Sequence, residues 1–131
     1  MRRTLAILFV AFTAVPALAA GRPSLNAYFQ STLTDTAYQK KTFDRVSKAW
    51  KAPAAADLPA IGKKTVVQAA IARDGKLSSA AVSMSSGKKG WDAAALKAVK
   101  AAAPFDPLPA GYKYPVLEVH FHVAFVDANT K

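Results

Sequence analysis

The chain contains no cysteine, so no disulfide, thiolate metal site or cysteine nucleophile is available and the fold must be held by its hydrophobic core. Histidine is scarce too, with His120 and His122 as the two examples, two residues apart in one apolar run. Serines are plentiful between Ser78 and Ser86, but neither histidine is near them in sequence and no Gly-x-Ser-x-Gly elbow is present. Paired carboxylates and a phosphate-cradling glycine loop are missing as well, which argues against an enzyme and against any cofactor. Acidic residues are few, eight against eighteen Lys and Arg. The cations are spread as Lys40/Lys41, Lys63/Lys64, Lys88/Lys89 and Lys97/Lys100, without the interleaved aromatics of a single-strand nucleic-acid groove. Nucleic acid is therefore not expected as a partner.

What is present begins with Met1-Arg2-Arg3, an apolar run from Leu5 to Ala20 and the small-residue ending Ala17-Leu18-Ala19. These are the three parts of a secretory signal, with cleavage expected after Ala19. The alternative is an uncleaved membrane anchor, but the run falls short of the ~20 residues that comfortably span a bilayer. Residues 1–19 are thus read as a removed signal peptide, and the rest suffices for one small domain with a single core. The formal charge of +10 includes Arg2 and Arg3, whose removal leaves +8. Acidic proteins or an anionic membrane surface suit such a charge.

Residues 20–35 form a leader or short arm. Leu25, Tyr28, Phe29 and Leu33 lie at helical spacing, so a packed arm, a short helix and a flexible leader all remain open. A helix is predicted over Thr36 to Trp50, with Thr34 or Asp35 as N-cap, Pro53 as stop, and Tyr38, Phe43, Val46 and Trp50 as its apolar stripe. The segment from Lys51 to Ile61, rich in Ala and Pro, reads as an exposed connection. Two extended runs follow, Lys64 to Arg73 and Lys76 to Met84, joined by Asp74-Gly75, a dipeptide suited to the positive φ angles of a tight hairpin. The serines of the second run suit a strand near a sheet edge. Ser85 to Pro109 then holds a turn and an alanine-rich helix with Trp91, Ala94, Ala95, Ala98, Val99 and Ala102 at helical spacing, stopped at Pro104. The proline-rich stretch from Pro104 to Pro115 reads as a stiff, exposed loop.

The final strand is expected over Val116 to Val126. Leu117, Val119, Phe121, Val123 and Phe125 fall on its core face, and Val116, Glu118, His120, His122 and Ala124 on the other. Two histidines at i and i+2 beside a carboxylate have a spacing that permits zinc, but a structural zinc site wants four ligands and the mature chain holds no further Cys or His. The plainer reading is a solvent-facing polar stripe, with no metal.

In this order, the elements and residues resemble the C-terminal domain of the TonB and TolA energy transducers. The resemblance runs through Tyr38, Trp50, Asp74-Gly75-Lys76, Ser85-Ser86-Gly87, Trp91-Asp92, Ala95-Leu96, Ala98-Val99, Pro104-Phe105, Pro107-Leu108-Pro109 and the closing strand. Trp91 stands where the family usually has a smaller aliphatic residue. The resemblance implies an α+β fold over residues 36–127, ordered α-β-β-α-β, with a three-stranded antiparallel sheet and both helices on one face. It also implies a periplasmic module that binds an envelope protein, an outer-membrane receptor or a Tol- or Ton-system component. The family's long linker is missing: the roughly fifteen residues before the first helix reach about 50 Å fully extended at ~3.4 Å per residue. Recognition is therefore expected and direct energy transduction is not.

A right-handed crossover through the second helix sets the final strand beside the first strand of the hairpin and leaves its outer side unpaired. Val116, Glu118, His120, His122, Ala124 and Val126 are accordingly the expected partner-binding residues, on an edge that accepts an extended segment by strand addition. The alternative is a stand-alone structural or inhibitory envelope factor that uses its basic surface.

Overall fold

The computed structural model describes residues 21–129, so the signal peptide expected over 1–19 lies outside the described residues. Its elements are β1 (Gly21–Phe29), α1 (Thr36–Ala49), a 3-10 turn (Ala55–Asp57), β2 (Lys64–Ala72), β3 (Leu77–Met84), α2 (Lys89–Ala102) and β4 (Val116–Asp127). The fold is α+β, as expected, but its antiparallel sheet has four strands in the order β1-β4-β2-β3, not three. The added strand comes from the leader. Its pairing runs from Gly21 opposite Asp127 to Phe29 opposite Val119, so Leu25, Ala27 and Phe29 share the inner face at a period of two. The helical spacing of Leu25, Tyr28 and Phe29 is overridden because β4 offers this segment a full ladder of backbone partners, and Tyr28 and Phe29 then point to opposite faces.

Both helices lie on one face of the sheet. α1 is capped by Asp35, whose carboxylate accepts the Tyr38 N–H at 2.9 Å. Its buried stripe is Tyr38, Thr42 and Val46, one residue round from the expected Phe43. Thr42 can sit there because its hydroxyl donates to the Tyr38 carbonyl at 2.9 Å, which satisfies a polar group in the core. In α2 the buried residues are Trp91, Ala95, Ala98, Val99 and Ala102, small except for the indole. They meet Val67, Ala69 and Ile71 of β2 and Leu117, Val119, Phe121, Val123 and Phe125 of β4 in one core, with Trp50 packed against it. Trp91 is 0 % exposed. Its ring stands edge-on to Trp50 at 4.9 Å and Phe125 at 5.6 Å, and its Nε1–H donates to the Val123 carbonyl at 3.0 Å. The small neighbours on α2 make room for the large ring.

The proline-rich stretch departs from the exposed loop expected of it. Phe105, Leu108 and Tyr112 are buried, and the segment is tied to the β2–β3 hairpin by Phe105 N–H to Gly75 O at 2.9 Å and Leu108 N–H to Arg73 O at 3.0 Å. Further along, the Arg73 guanidinium donates to the carbonyls of Tyr112 and Tyr114. Prolines keep this stretch out of a ladder without keeping it out of the core. Its path delivers the chain into β4.

Candidate partner-binding site

β4 is the longest strand and lies inside the sheet, paired with β2 on one side and β1 on the other. The expected unpaired outer edge is therefore corrected: β1 occupies it. β4 does lie beside β2, as a right-handed crossover through α2 requires, and residues 21–29 of the leader fill its other side. Phe125 shows which way the backbone groups point, since its N–H donates to Lys63 O at 3.0 Å and its C=O accepts from Gly62 N–H at 2.7 Å, both towards the β2 side. Alternation along the strand then turns the N–H and C=O of Glu118, His120, His122, Ala124 and Val126 towards β1. The Glu118 N–H, reached by Gln30 Oε1 at 2.8 Å, follows the same rule. The residues expected to bind a partner do present their backbone to the outer side of β4, opposite Tyr28, Asn26, Ser24 and Arg22.

Their side chains stand on the open face of the sheet, away from both helices. Val116 is exposed, and Glu118, His120, His122, Ala124 and Val126 are half-buried. Glu118 pairs with His120 Nε2 at 2.6 Å and accepts from Gln68 Nε2 at 3.1 Å. His122 meets the Tyr28 ring edge-on with centroids 4.5 Å apart. Partial burial holds the His122 imidazole below its ordinary value, with Lys64 and then His120 adding to the effect. Among the described residues, no group of three or more His, Cys, Asp or Glu could hold a metal ion. This face offers polar and aromatic contacts.

The two outer edges of the sheet are both poorly suited to further pairing. On β1 the groups of Pro23, Leu25, Ala27 and Phe29 face outwards, so the missing N–H of Pro23 falls on the open edge. The opposite edge, β3, is serine-rich and carries two register irregularities against β2. Both features discourage further pairing. Between β1 and the helices lies an apolar cleft of about 170 Å³, lined among others by Pro23, Leu25, Val46, Trp50 and Val123. The sequence carried one signal of β1, the alternation Pro23, Leu25, Ala27, Phe29.

A family model described as TonB C terminal matches residues 35–123. The chain belongs to that family, whose domains are protein-interaction modules, and the resemblance read from its motifs holds. No curated protein and no solved structure matches the chain. The matched residues begin after β1 and reach into β4.

Proposed function

We propose that this TonB C-terminal domain is a periplasmic, non-catalytic module that docks on a cell-envelope protein, an outer-membrane receptor or a Tol- or Ton-type component. Docking takes place by strand addition on the outer side of β4. The observation that supports this is the composition of that side: the backbone groups of His120, His122, Ala124 and Val126 face β1 and the Glu118 N–H meets Gln30, all from outside the family-matched residues. Backbone hydrogen bonds supply affinity in such a contact, and the flanking side chains supply selectivity. Export rests on the Arg2/Arg3, apolar and Ala17-Leu18-Ala19 series. Cleavage after Ala19 leaves β1 whole, since it starts at Gly21. No helix among the described residues is long and apolar enough to cross a membrane.

A second reading, a structural or inhibitory factor acting through its basic surface, draws on Lys40, Lys41 and Lys48 of α1 and Lys97 and Lys100 of α2, all exposed. Capture of an envelope protein by the tagged, exported chain at low and high salt separates the two. Retention at high salt is the expected result, because backbone pairing persists while contacts between exposed charges are screened. Loss of the partner at high salt transfers the assignment to the basic surface. Mass analysis of the exported chain should find its N-terminus at or near Ala20.

A further inference from the structure

Three properties set β1 apart from the rest of the sheet. It lies outside the residues that match the family. None of its residues is fully buried, whereas Val119, Phe121 and Val123 beside it all are. Its inner face also leaves the apolar cleft of about 170 Å³ unfilled between Pro23, Leu25, Val46 and Trp50, a loss of contacts that a better-fitting strand would recover. Beyond β1, the chain is fastened again at Leu33, which is 3 % exposed and whose carbonyl accepts from Gln39 Nε2 at 3.0 Å. β1 is thus an N-terminal arm laid along β4 and joined to the body of the domain through the fixed segment around Leu33.

We infer that β1 is a built-in occupant of the partner's place on β4, and that the partner segment is an extended peptide with apolar residues at alternate positions, one of them bulkier than Leu25. The inference rests on the reading of β4 as the docking strand. Replacement, not extension, follows from the edges: Pro23 withholds a donor on the outer side of β1, and β3 is irregular. The pattern of the ligand follows from the side chains it must replace. Leu25, Ala27 and Phe29 face Val123, Phe121 and Val119. The small residue belongs opposite Phe121, and the position opposite Val123 opens on the cleft. On the other face an aromatic ring in place of Tyr28 meets His122.

The absence of cysteine makes the test direct. Ser24 and Ala124 are small, directly opposite and on the open face, in a hydrogen-bonded pair whose Cα atoms are expected ~5.5 Å apart, within disulfide reach. The double variant Ser24→Cys/Ala124→Cys locks β1 when oxidised and frees it when reduced. A second variant, Asn26→Pro, removes a β1 donor that faces β4 and loosens the arm. The probes are two fluorescent nonapeptides, one with the sequence Gly21–Phe29 and one with Phe in place of Leu25.

The oxidised double variant should not bind either peptide, and reduction should restore binding. Asn26→Pro should bind at least about tenfold more tightly than the unaltered chain, and the Phe peptide more tightly than the native one. Equal binding to oxidised and reduced forms overturns the inference, and since the reduced form is its own folding control, this comparison decides even if Asn26→Pro fails to fold. Equal affinity for the two peptides overturns the assignment of the cleft. Disulfide-linked dimers on oxidation also overturn it, because β1 would then belong to a second copy. An envelope protein captured equally by both redox forms removes the inference and moves docking away from the outer side of β4, leaving only the envelope-binding part of the reading. Redox-dependent peptide binding without any envelope protein captured by the reduced form supports the inference, keeps β4 as the docking strand and removes the envelope protein as its partner.

Discussion

Gln30 Oε1 accepts the backbone N–H of Glu118 at 2.8 Å, and the Tyr112 hydroxyl lies 2.9 Å from the same oxygen. One amide just beyond β1 therefore ties that strand to the start of β4 and to the buried loop before it. Gln30→Leu should loosen β1 while leaving the core intact, at a cost of about 1 kcal/mol for the lost hydrogen bond. Hydrogen exchange should read faster exchange at Ser24 and Asn26 with little change at Val67 and Val99.

Trp91 anchors the other end of the core. Trp91→Ala should cost about 3–5 kcal/mol, the usual range for a buried aromatic truncated to Ala, a large share of the stability of a domain this size. Chemical denaturation should place Trp91→Phe between the two, since it keeps part of the ring contact with Trp50 and Phe125 but loses the bond to the Val123 carbonyl.

Gly75 and Gly62 have the same φ of +92°, yet a Cβ on Gly75 would collide with the Phe105 carbonyl oxygen whereas one on Gly62 would meet nothing. The pair separates backbone strain from crowding. Gly62→Ala should show the strain alone, about 1 kcal/mol. Gly75→Ala should cost clearly more, because the Phe105 N–H to Gly75 O bond that holds the proline-rich stretch must shift as well. Thermal melts of the two variants make the comparison.

Asp92, in the first turn of α2, accepts from Thr65 Oγ1 at 2.5 Å, from Ser86 N–H and Oγ at 2.9 Å each, and from the Ser85 hydroxyl. Burial pushes its carboxyl up, but the bonds from Ser85, Thr65 and Ser86 together outweigh it and hold the group below the ordinary value of 3.8. A carboxylate lowered on folding stabilises above its unfolded value, and that contribution is lost as pH falls through the folded value. Asp92→Asn should accordingly lose stability at pH 7 and show a shallower decline below pH ~4. Asp92→Ala should cost about 2–3 kcal/mol by leaving the buried Thr65 hydroxyl unpaired.

His122 is lowered on folding by burial, then by Lys64 and His120, and it packs on Tyr28 of β1. The unfolded chain therefore takes up its proton first, so stability is full above the ordinary value of 6.5 and declines as pH falls below it. His122→Gln should reduce the difference between denaturation midpoints at pH 7.5 and pH 5.5. The same change should lessen the acid-induced loosening of β1 in hydrogen exchange.

Much of this was legible in the chain itself. Asp74-Gly75 marks the β2–β3 turn, Pro104 stops α2, and the alternation from Leu117 to Phe125 separates the core face of β4 from its open face. Those are local signals, set by φ preferences and by period. The pairing of β1 was not legible, because Gly21, Pro23 and Asn26 are poor strand formers and the ladder that holds them comes from β4, nearly a hundred residues away. The burial of Phe105, Leu108 and Tyr112 was hidden for a similar reason: their partners Gly75 and Arg73 are set by the hairpin, not by the prolines around them. On β4 the sequence identified the residues whose backbone faces outwards and missed the strand already bound to them.

A partner segment that takes the place of β1 on β4 must release the amides with which β1 faces that strand. Hydrogen exchange on the full chain, with and without a saturating amount of the Leu25→Phe nonapeptide, tests it residue by residue. The amides of Ser24 and Asn26 should lose protection on binding while those of His122 and Ala124 keep theirs. Bound peptide with Ser24 and Asn26 still protected would contradict it.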